Sequence, residues 1–269
     1  MEHTSNFYMV LPSNVKTTGE FEKNKISHYH TPMPRPVQLT GGQWECALSE
    51  IFYPHSWYNI KGPLTRFEVK CGHGLRRSYK VAVSIAKGFY TPKSLADEMN
   101  SRFKAITTAP FYGRVKFLES VGIMKITLRH GETLTVHSHL AQLMGFDRKV
   151  FRYKAGTQVS ANDYVFRSNR ASDLNANLHQ IYVYSDLVKE TLVGDSYVPL
   201  LAVLNVRGWL GDNMHEVFQN PHYTETSGST INSIEIALCD DQGELVPFLY
   251  GKVIVKLHFR RKKKDIFLN

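Results

Sequence analysis

The chain has 269 residues, of which 42% are hydrophobic and 21% charged, and its formal net charge is +9. This balance argues against a disordered chain, and no run approaches the ~18 apolar residues that span a bilayer. The three cysteines, Cys46, Cys71 and Cys239, are widely spaced and odd in number, which indicates neither a disulfide framework nor a zinc site. We expect them to be reduced in an intracellular protein, because residues 1–10 lack a signal-peptide core.

The first 35 residues are predicted to form an extended amino-terminal arm. Pro32, Pro34 and Pro36 each bias the preceding residue toward extended backbone. We expect residues 1–35 to be mobile in the isolated protein and to become ordered on assembly. Residues 36–259 would then form the folded domain.

The next segments are predicted to be strands. Residues 44–52 alternate in part, and residues 66–71 and 78–85 are rich in branched and aromatic side chains, as half-buried strands are. Residues 115–118 and 123–128 are separated by a short stretch that ends in glycine. This arrangement predicts a hairpin.

Two short helices interrupt the strand pattern. Residues 91–103 begin with Thr-Pro, which suits an N-cap and a first helical position, and apolar residues recur there at four-residue spacing. A second helix is predicted from an N-cap at Ser138 to Gly145, with Phe146 folded back on Leu140 in a Schellman-type stop. Both helices are expected to pack on the sheets.

The carboxy-terminal third shows the strongest strand signal. After a weakly patterned polar stretch at 149–178, predicted to be a long surface connection, apolar or alternating runs predict further strands at residues 181–184, 200–206, 234–238 and 253–259. The fold class is therefore all-β with two short helices, as a single jelly-roll β-sandwich. Alternation leaves open whether residues 61–180 belong to that sandwich or form an insertion in it.

Two histidine pairs are candidate metal ligands. Gly131 followed by His137-Ser138-His139 resembles the opening of the cupin metal motif, but the glutamate that should follow four or five residues later is absent. Two ligands without a third do not make a zinc site. His28-Tyr29-His30 is a weaker candidate still, so we predict no metal and no cofactor.

No local catalytic signature is present. The chain contains neither G-x-S-x-G nor H-E-x-x-H, and the glycines of Cys71-Gly72-His73-Gly74 favour a turn between strands over a reactive thiol. The sequence therefore favours a protein that is not an enzyme.

Five consecutive basic residues account for more than half of the excess positive charge. As a structural feature they end the last strand and discourage edge pairing. As a functional feature they are candidates for contact with packaged nucleic acid or for a nuclear import signal. They open the tail at residues 260–269 and are Arg260, Arg261, Lys262, Lys263 and Lys264.

Four stretches together resemble the penton, or minor capsid, protein of Polinton/Maverick elements and of adintoviruses. The segments LMGF at 143–146 and NPHY at 220–223 fit the same pattern, so the resemblance covers nearly the whole chain. Ser185 departs from it, because a cysteine is more usual at that position. The four stretches are GQWECALSEIFYPHSW (42–57), IYVYSD (181–186), VGDSYVPLL (193–201) and VPFLYGKVIVKLHFR (246–260).

The resemblance implies a single jelly-roll subunit that forms homopentamers at the fivefold vertices of an icosahedral shell. It also implies a separate double-jelly-roll major capsid protein as partner, a place in the virion, assembly in the host nucleus, and no catalytic residues. Contact with packaged DNA would use the basic tail. We expect residues 149–178 and 208–230 to supply exposed or inter-subunit surface.

Two alternatives remain from the residues alone. One is a stand-alone jelly-roll binding module of the lectin-like kind, against which the unpaired cysteines argue. The other is a cupin-like metalloenzyme, against which the incomplete histidine motif argues.

Overall fold

A computed structural model describes residues 6–15, 24–71, 78–107, 110–153, 156–160, 162–175 and 178–262. The chain forms two compact units, one of Met1–Trp57 with Asn177–Asn269 and one of Tyr58–Ala176. In chain order the strands and helices are β1 (Asn6–Pro12), β2 (His28–Gln38), β3 (Trp44–Pro54), β4 (Arg66–Cys71), β5 (Tyr79–Ser84), α1 (Pro92–Lys104), β6 (Arg114–Leu118), β7 (Ile123–Arg129), β8 (Thr133–Val136), α2 (Ser138–Leu143), β9 (Val150–Arg152), β10 (Thr157–Gln158), β11 (Asp163–Arg167), β12 (Gln180–Ser185), β13 (Thr191–Val193), β14 (Ser196–Val198), β15 (Leu200–Asn205), β16 (Asn213–Val217), β17 (Thr224–Glu225), β18 (Thr230–Cys239) and β19 (Ile254–Arg261).

The first unit is a jelly roll. One antiparallel sheet has the order β1-β19-β3-β16, with β17 also paired to β3, and the other has the order β15-β12-β18-β2. Counted along the chain, the eight strands of these two paths alternate as first, eighth, third and sixth in one sheet and second, seventh, fourth and fifth in the other. This interleaving is the double Greek key of a jelly roll, so the predicted fold class is confirmed.

The core of the first unit lies between its two sheets. Leu257 and Phe259 of β19 and Ile234 and Ile236 of β18 are each fully buried, and all four belong to one hydrophobic cluster. They alternate along their strands with more exposed residues, which is the pattern that predicted these strands. The alternation thus identified the inward face of each sheet.

Strands β1 and β2 correct the prediction that residues 1–35 form an arm outside the folded domain. Strand β1 pairs with β19 over its whole length, and β2 pairs with β18. Prolines are tolerated in β2 because it lies at the edge of its sheet in the described structure. Pro34 and Pro36 lie in a register shift opposite the Ile231/Ser233 step, where no ladder hydrogen bond is required of them.

The second unit lies in the chain between the third and fourth strands of the jelly roll, and it has its own core. Its sheets have the orders β10-β11-β7-β6 and β5-β4-β8-β9. The predicted surface connection at 149–178 is wrong, because β9, β10 and β11 lie there and bury Phe151 and Phe166. These strands have five residues or fewer, too few to show a clear period.

The helices and the hairpin of the second unit are confirmed. Thr91 caps α1 in a reciprocal capping box with Ser94, and β6 pairs with β7 in register. Helix α2 ends as predicted, since Gly145 N–H donates to Gln142 O and Phe146 N–H donates to Ala141 O, both at 2.8 Å, in the two bonds of a Schellman motif. Its N-cap is His137, one residue before the predicted Ser138. No helix among the described residues is long and apolar enough to cross a membrane.

Gly145→Ala should destabilise the second unit more than Gly122→Ala. Both glycines have positive φ, +85° and +67° respectively, so each alanine carries a backbone cost of about 1–2 kcal/mol. A Cβ at position 145 would also overlap the Arg170 carbonyl oxygen, whereas at position 122 it would meet only the Ala171 Cβ, 3.7 Å away. Urea denaturation measures the difference, and equal losses for the two variants would contradict this account of the helix stop.

Candidate interaction surfaces

The first two residues of the predicted basic tail belong to the sheet. Arg260 lies opposite Glu45 in the register of β19 and β3, and its Nε donates to Glu45 Oε2 at 3.0 Å. The Arg260 guanidinium also lies over the Tyr223 ring, 3.4 Å from its centroid. Arg261 lies over the Trp44 ring at 5.7 Å. These charges are therefore held by neighbouring side chains of the jelly roll.

Lys262 follows the strand and is paired with an acid. Its Nζ donates to Glu225 Oε1 at 2.5 Å, and Lys189 Nζ donates to Glu225 Oε2 at 2.7 Å. The hydrogen bonds from Lys189 and Lys262 lower the pKa of Glu225 to about 2. Lys263 and Lys264 lie outside the described residues, so contact of the tail with nucleic acid, or its use in nuclear import, stays a prediction.

The outer face of the first sheet, on the side away from the core, carries aromatic and apolar residues together with paired charged ones. Residues opposite each other on neighbouring strands share a face, so two rows can be traced across this sheet. One row is Val10, Lys256, Glu50 and Val217, and the next is Pro12, Ile254, Phe52 and His215. The surface therefore crosses four strands.

Ring stacking orders this outer face. The Tyr8 and His258 rings stack at 4.3 Å, and the Phe52 and His215 rings stack at 3.9 Å. Tyr223 adds a 2.6 Å hydrogen bond between its hydroxyl and His258 Nδ1. Burial, and then the nearby Arg260 charge, lower the pKa of His258. Both effects disfavour the charged form of His258.

Charged groups within the outer face are paired with each other. Lys256 Nζ lies 2.6 Å from Glu50 Oε1, and His215 Nε2 lies 3.6 Å from Glu50 Oε2. The hydrogen bond from Lys256 lowers the pKa of Glu50. Because these charges are already matched within the subunit, a partner could cover the face without leaving an unpaired charge.

Strand β1 exposes apolar side chains at the edge of this sheet. In the described structure β1 pairs only with β19, while Tyr8 and Val10 are 56% and 59% exposed. An edge strand with exposed apolar residues is a template for association with another chain. The combination of edge and outer face is thus a candidate interface.

A second apolar surface is formed by two loops of the same unit. Trp209 and Leu210 in one loop and Leu249 and Tyr250 in the other are exposed. Both loops are tied to one segment: Gly211 N–H donates to the His55 carbonyl at 2.9 Å, and Leu249 N–H to the Ser56 carbonyl at 2.7 Å. Part of the predicted 208–230 surface lies here, although β16 and β17 within that range pair with β3.

The cysteine chemistry is that of buried thiols. Cys46, Cys71 and Cys239 are all free and buried. Burial, and then the nearby Glu132 charge, raise the pKa of Cys71 to about 11, which disfavours the nucleophilic thiolate. The glycines and histidine that follow Cys71 at positions 72–74 lie outside the described residues.

The two candidate histidine pairs differ from the ranking that the sequence suggested. The pair that the sequence ranked lower is the one with a third possible ligand. In the described residues, the cupin-like pair His137 and His139 has no third metal ligand, whereas His28 and His30 meet Glu235. Sequence reasoning missed this group because Glu235 is 207 residues from His28. Only the pairing of β2 with β18 brings the two strands together.

Replacing Lys189 with Met should raise the pKa of Glu225 from about 2 toward its ordinary value near 4.5. The change removes the cation whose hydrogen bond lowers that pKa most. Carbon-detected NMR titration of the Glu225 carboxyl measures it. Lys80→Met, which removes the partner of Glu68, is the control and should leave Glu225 unchanged. A Glu225 pKa unaffected by Lys189→Met would contradict the ion-pair network.

Comparison with known proteins finds solved structures that are similar to nearly the whole chain. No family model and no curated protein matches it. The crystal structure of the selenomethionine-labelled mavirus penton protein is similar with a TM-score of 0.50 at 13% identity, over 94% of this chain and 99% of that one. A chain in the 3.5 Å cryo-EM structure of the Sputnik virophage is similar with a TM-score of 0.52 at 12% identity, over 97% and 99%. The chain is therefore similar in fold to the mavirus penton protein and to a chain of the Sputnik virophage, a similarity that agrees with the resemblance of its sequence motifs.

Proposed function

We propose that this protein is a penton-type capsid subunit that forms homopentamers at the fivefold vertices of an icosahedral shell. The observation that carries the proposal is the match to the mavirus penton protein over 99% of that protein and 94% of this chain. The similarity in fold supports a structural role in a capsid. The resemblance of the sequence motifs adds support for the pentamer and for its position at the vertex.

The extent of the match favours a capsid subunit over a stand-alone binding module. Jelly rolls serve many functions, so a match to the sandwich alone would say little. A match over 94% of the chain must include most of the unit Tyr58–Ala176 as well as most of the jelly roll. A lectin-like module would account for the sandwich and leave the second unit unexplained.

A five-membered ring requires two different surfaces on each subunit. Contacts in such a ring are heterologous and close by rotation, so one surface of a subunit must fit a second surface of its neighbour. The outer face with the β1 edge is one such surface. The two-loop surface around Trp209 and Tyr250 is another, and each exposes large apolar side chains, as interface cores do.

The other partners follow from the same proposal. A double-jelly-roll major capsid protein would surround each pentamer, and assembly would take place in the host nucleus. Contact with packaged DNA would fall to Lys263 and Lys264, because the three preceding basic residues are held by neighbouring side chains of the jelly roll.

The purified protein should form pentamers. Five chains of 30.8 kDa give a complex of about 154 kDa, which native mass spectrometry and light scattering resolve from a monomer or dimer. Negative-stain images should show five-membered rings. A strict monomer or dimer, both alone at high concentration and when co-expressed with the major capsid protein, would overturn the proposal.

Val10→Lys should weaken the pentamer, by at least about tenfold in dissociation constant. The substitution places an unpaired charge at the β1 edge, and burying it in an interface is costly. Val121→Lys is the matched control, because Val121 is also 59% exposed but lies in the turn between β6 and β7. Sedimentation equilibrium compares the two variants. If both variants weaken the pentamer equally, or if neither weakens it, the β1 edge is not part of the interface.

A further inference from the structure

His28, His30 and Glu235 form a cluster on the outer face of the second sheet. His28 and His30 are two residues apart on β2, so both side chains project from the same face of the strand. Glu235 on β18 lies directly opposite His30 in the register. The three side chains each offer one ligand atom, and these atoms all lie within 4.8 Å of one another.

The separations suit a small divalent cation. Glu235 Oε1 lies 2.5 Å from His28 Nε2 and 3.7 Å from His30 Nε2. Ligand atoms bound tetrahedrally at about 2.0–2.1 Å from zinc lie about 3.3 Å apart. The two measured separations fall on either side of this value, and all three ligand atoms lie within 4.8 Å of one another.

The backbone that carries the histidines is held from both sides. On one side β2 pairs with β18. On its open side Asn24 closes the edge, because the Asn24 side chain both accepts from His30 N–H and donates to His30 O, each at 2.9 Å. A ligand set on a fixed backbone loses little conformational entropy on binding metal.

The cluster is also accessible. The three side chains are between 29% and 38% exposed, which leaves a path for an ion and room for a water as a fourth ligand. A second carboxylate, that of Asp186, lies beside the cluster and accepts from Glu235 N–H at 2.9 Å.

We propose that His28, His30 and Glu235 bind a zinc-like divalent transition metal. Two imidazoles and a carboxylate are a ligand set that zinc accepts, with one position left for water. The ion would link the edge strand β2 to β18 and so fasten the start of that strand to the sandwich. The site does not depend on the capsid function proposed above, since it is built within one subunit.

Zinc titration of the full-length, chelator-treated protein by calorimetry tests the site. We expect one zinc per chain with a micromolar or tighter dissociation constant. His28→Ala combined with His30→Ala should weaken that binding at least about a hundredfold, and Glu235→Gln at least about tenfold, because loss of a direct ligand should cost at least as much as the ~10–100-fold lost with an outer-shell partner. Circular dichroism verifies that each variant is folded.

His139→Ala combined with His222→Ala is the matched control. It also removes two exposed histidines, neither of which belongs to a three-ligand group in the described structure, and it should bind zinc as the unmodified protein does. A zinc X-ray absorption spectrum should show two imidazole ligands in the unmodified protein. Absence of saturable zinc binding, or equal zinc binding by all variants, would show that the cluster is only an ion pair and would overturn the proposal.

Discussion

Strand β19 lies between β1 and β3 and pairs with both along most of its length, and the jelly roll depends on this placement. Its inward side chains Val255, Leu257 and Phe259 are completely buried, and complete burial of such a side chain stabilises the fold by about 1.5–3 kcal/mol. Because β1 and β19 are the first and last strands of the described residues, the sheet is complete only when two segments far apart in the sequence meet. Such long-range pairing is slow to form.

The central position of β19 also determines what the outside of the sheet presents. The residues that alternate with its buried side chains, Lys256, His258 and Arg260, all project to the outer face. There they pair with Glu50, Tyr223 and Glu45. One strand therefore builds the core with one half of its residues and organises a candidate contact surface with the other half. Charges that are matched internally leave that surface ready for an apolar partner.

The sequence predicts this fold best where a strand has one buried face and several residues to show it. Strand β4 was predicted with its observed bounds, and β18 and β19 follow their alternation closely. The prediction failed for β9 and β10, which have three residues and two. It also failed for β2, because prolines are found both in extended arms and in edge strands such as β2. The structure of these elements is determined by their pairing with distant strands, and the local sequence pattern carries no information on that pairing.

The candidate sites were less predictable than the fold. Tyr8 and Val10 lie in an apolar run whose sequence gives no sign that alternate members are exposed, and the meeting of His28 with Glu235 depends on a strand pairing across most of the chain. The basic cluster was visible in the sequence, but the acids that engage Arg260 and Lys262 were not. The sequence shows which residues are charged or aromatic, whereas the pairing of the strands determines which residues they contact.

A cryo-EM reconstruction of assembled particles that contain the protein would test the proposal that this jelly roll is a vertex subunit of a capsid. We expect five copies of the chain around each fivefold axis, with the first sheet or the loops around Trp209 and Tyr250 in contact between neighbours. Density for the chain only at positions away from the fivefold axes, or a shell that lacks the chain altogether, would overturn the proposal.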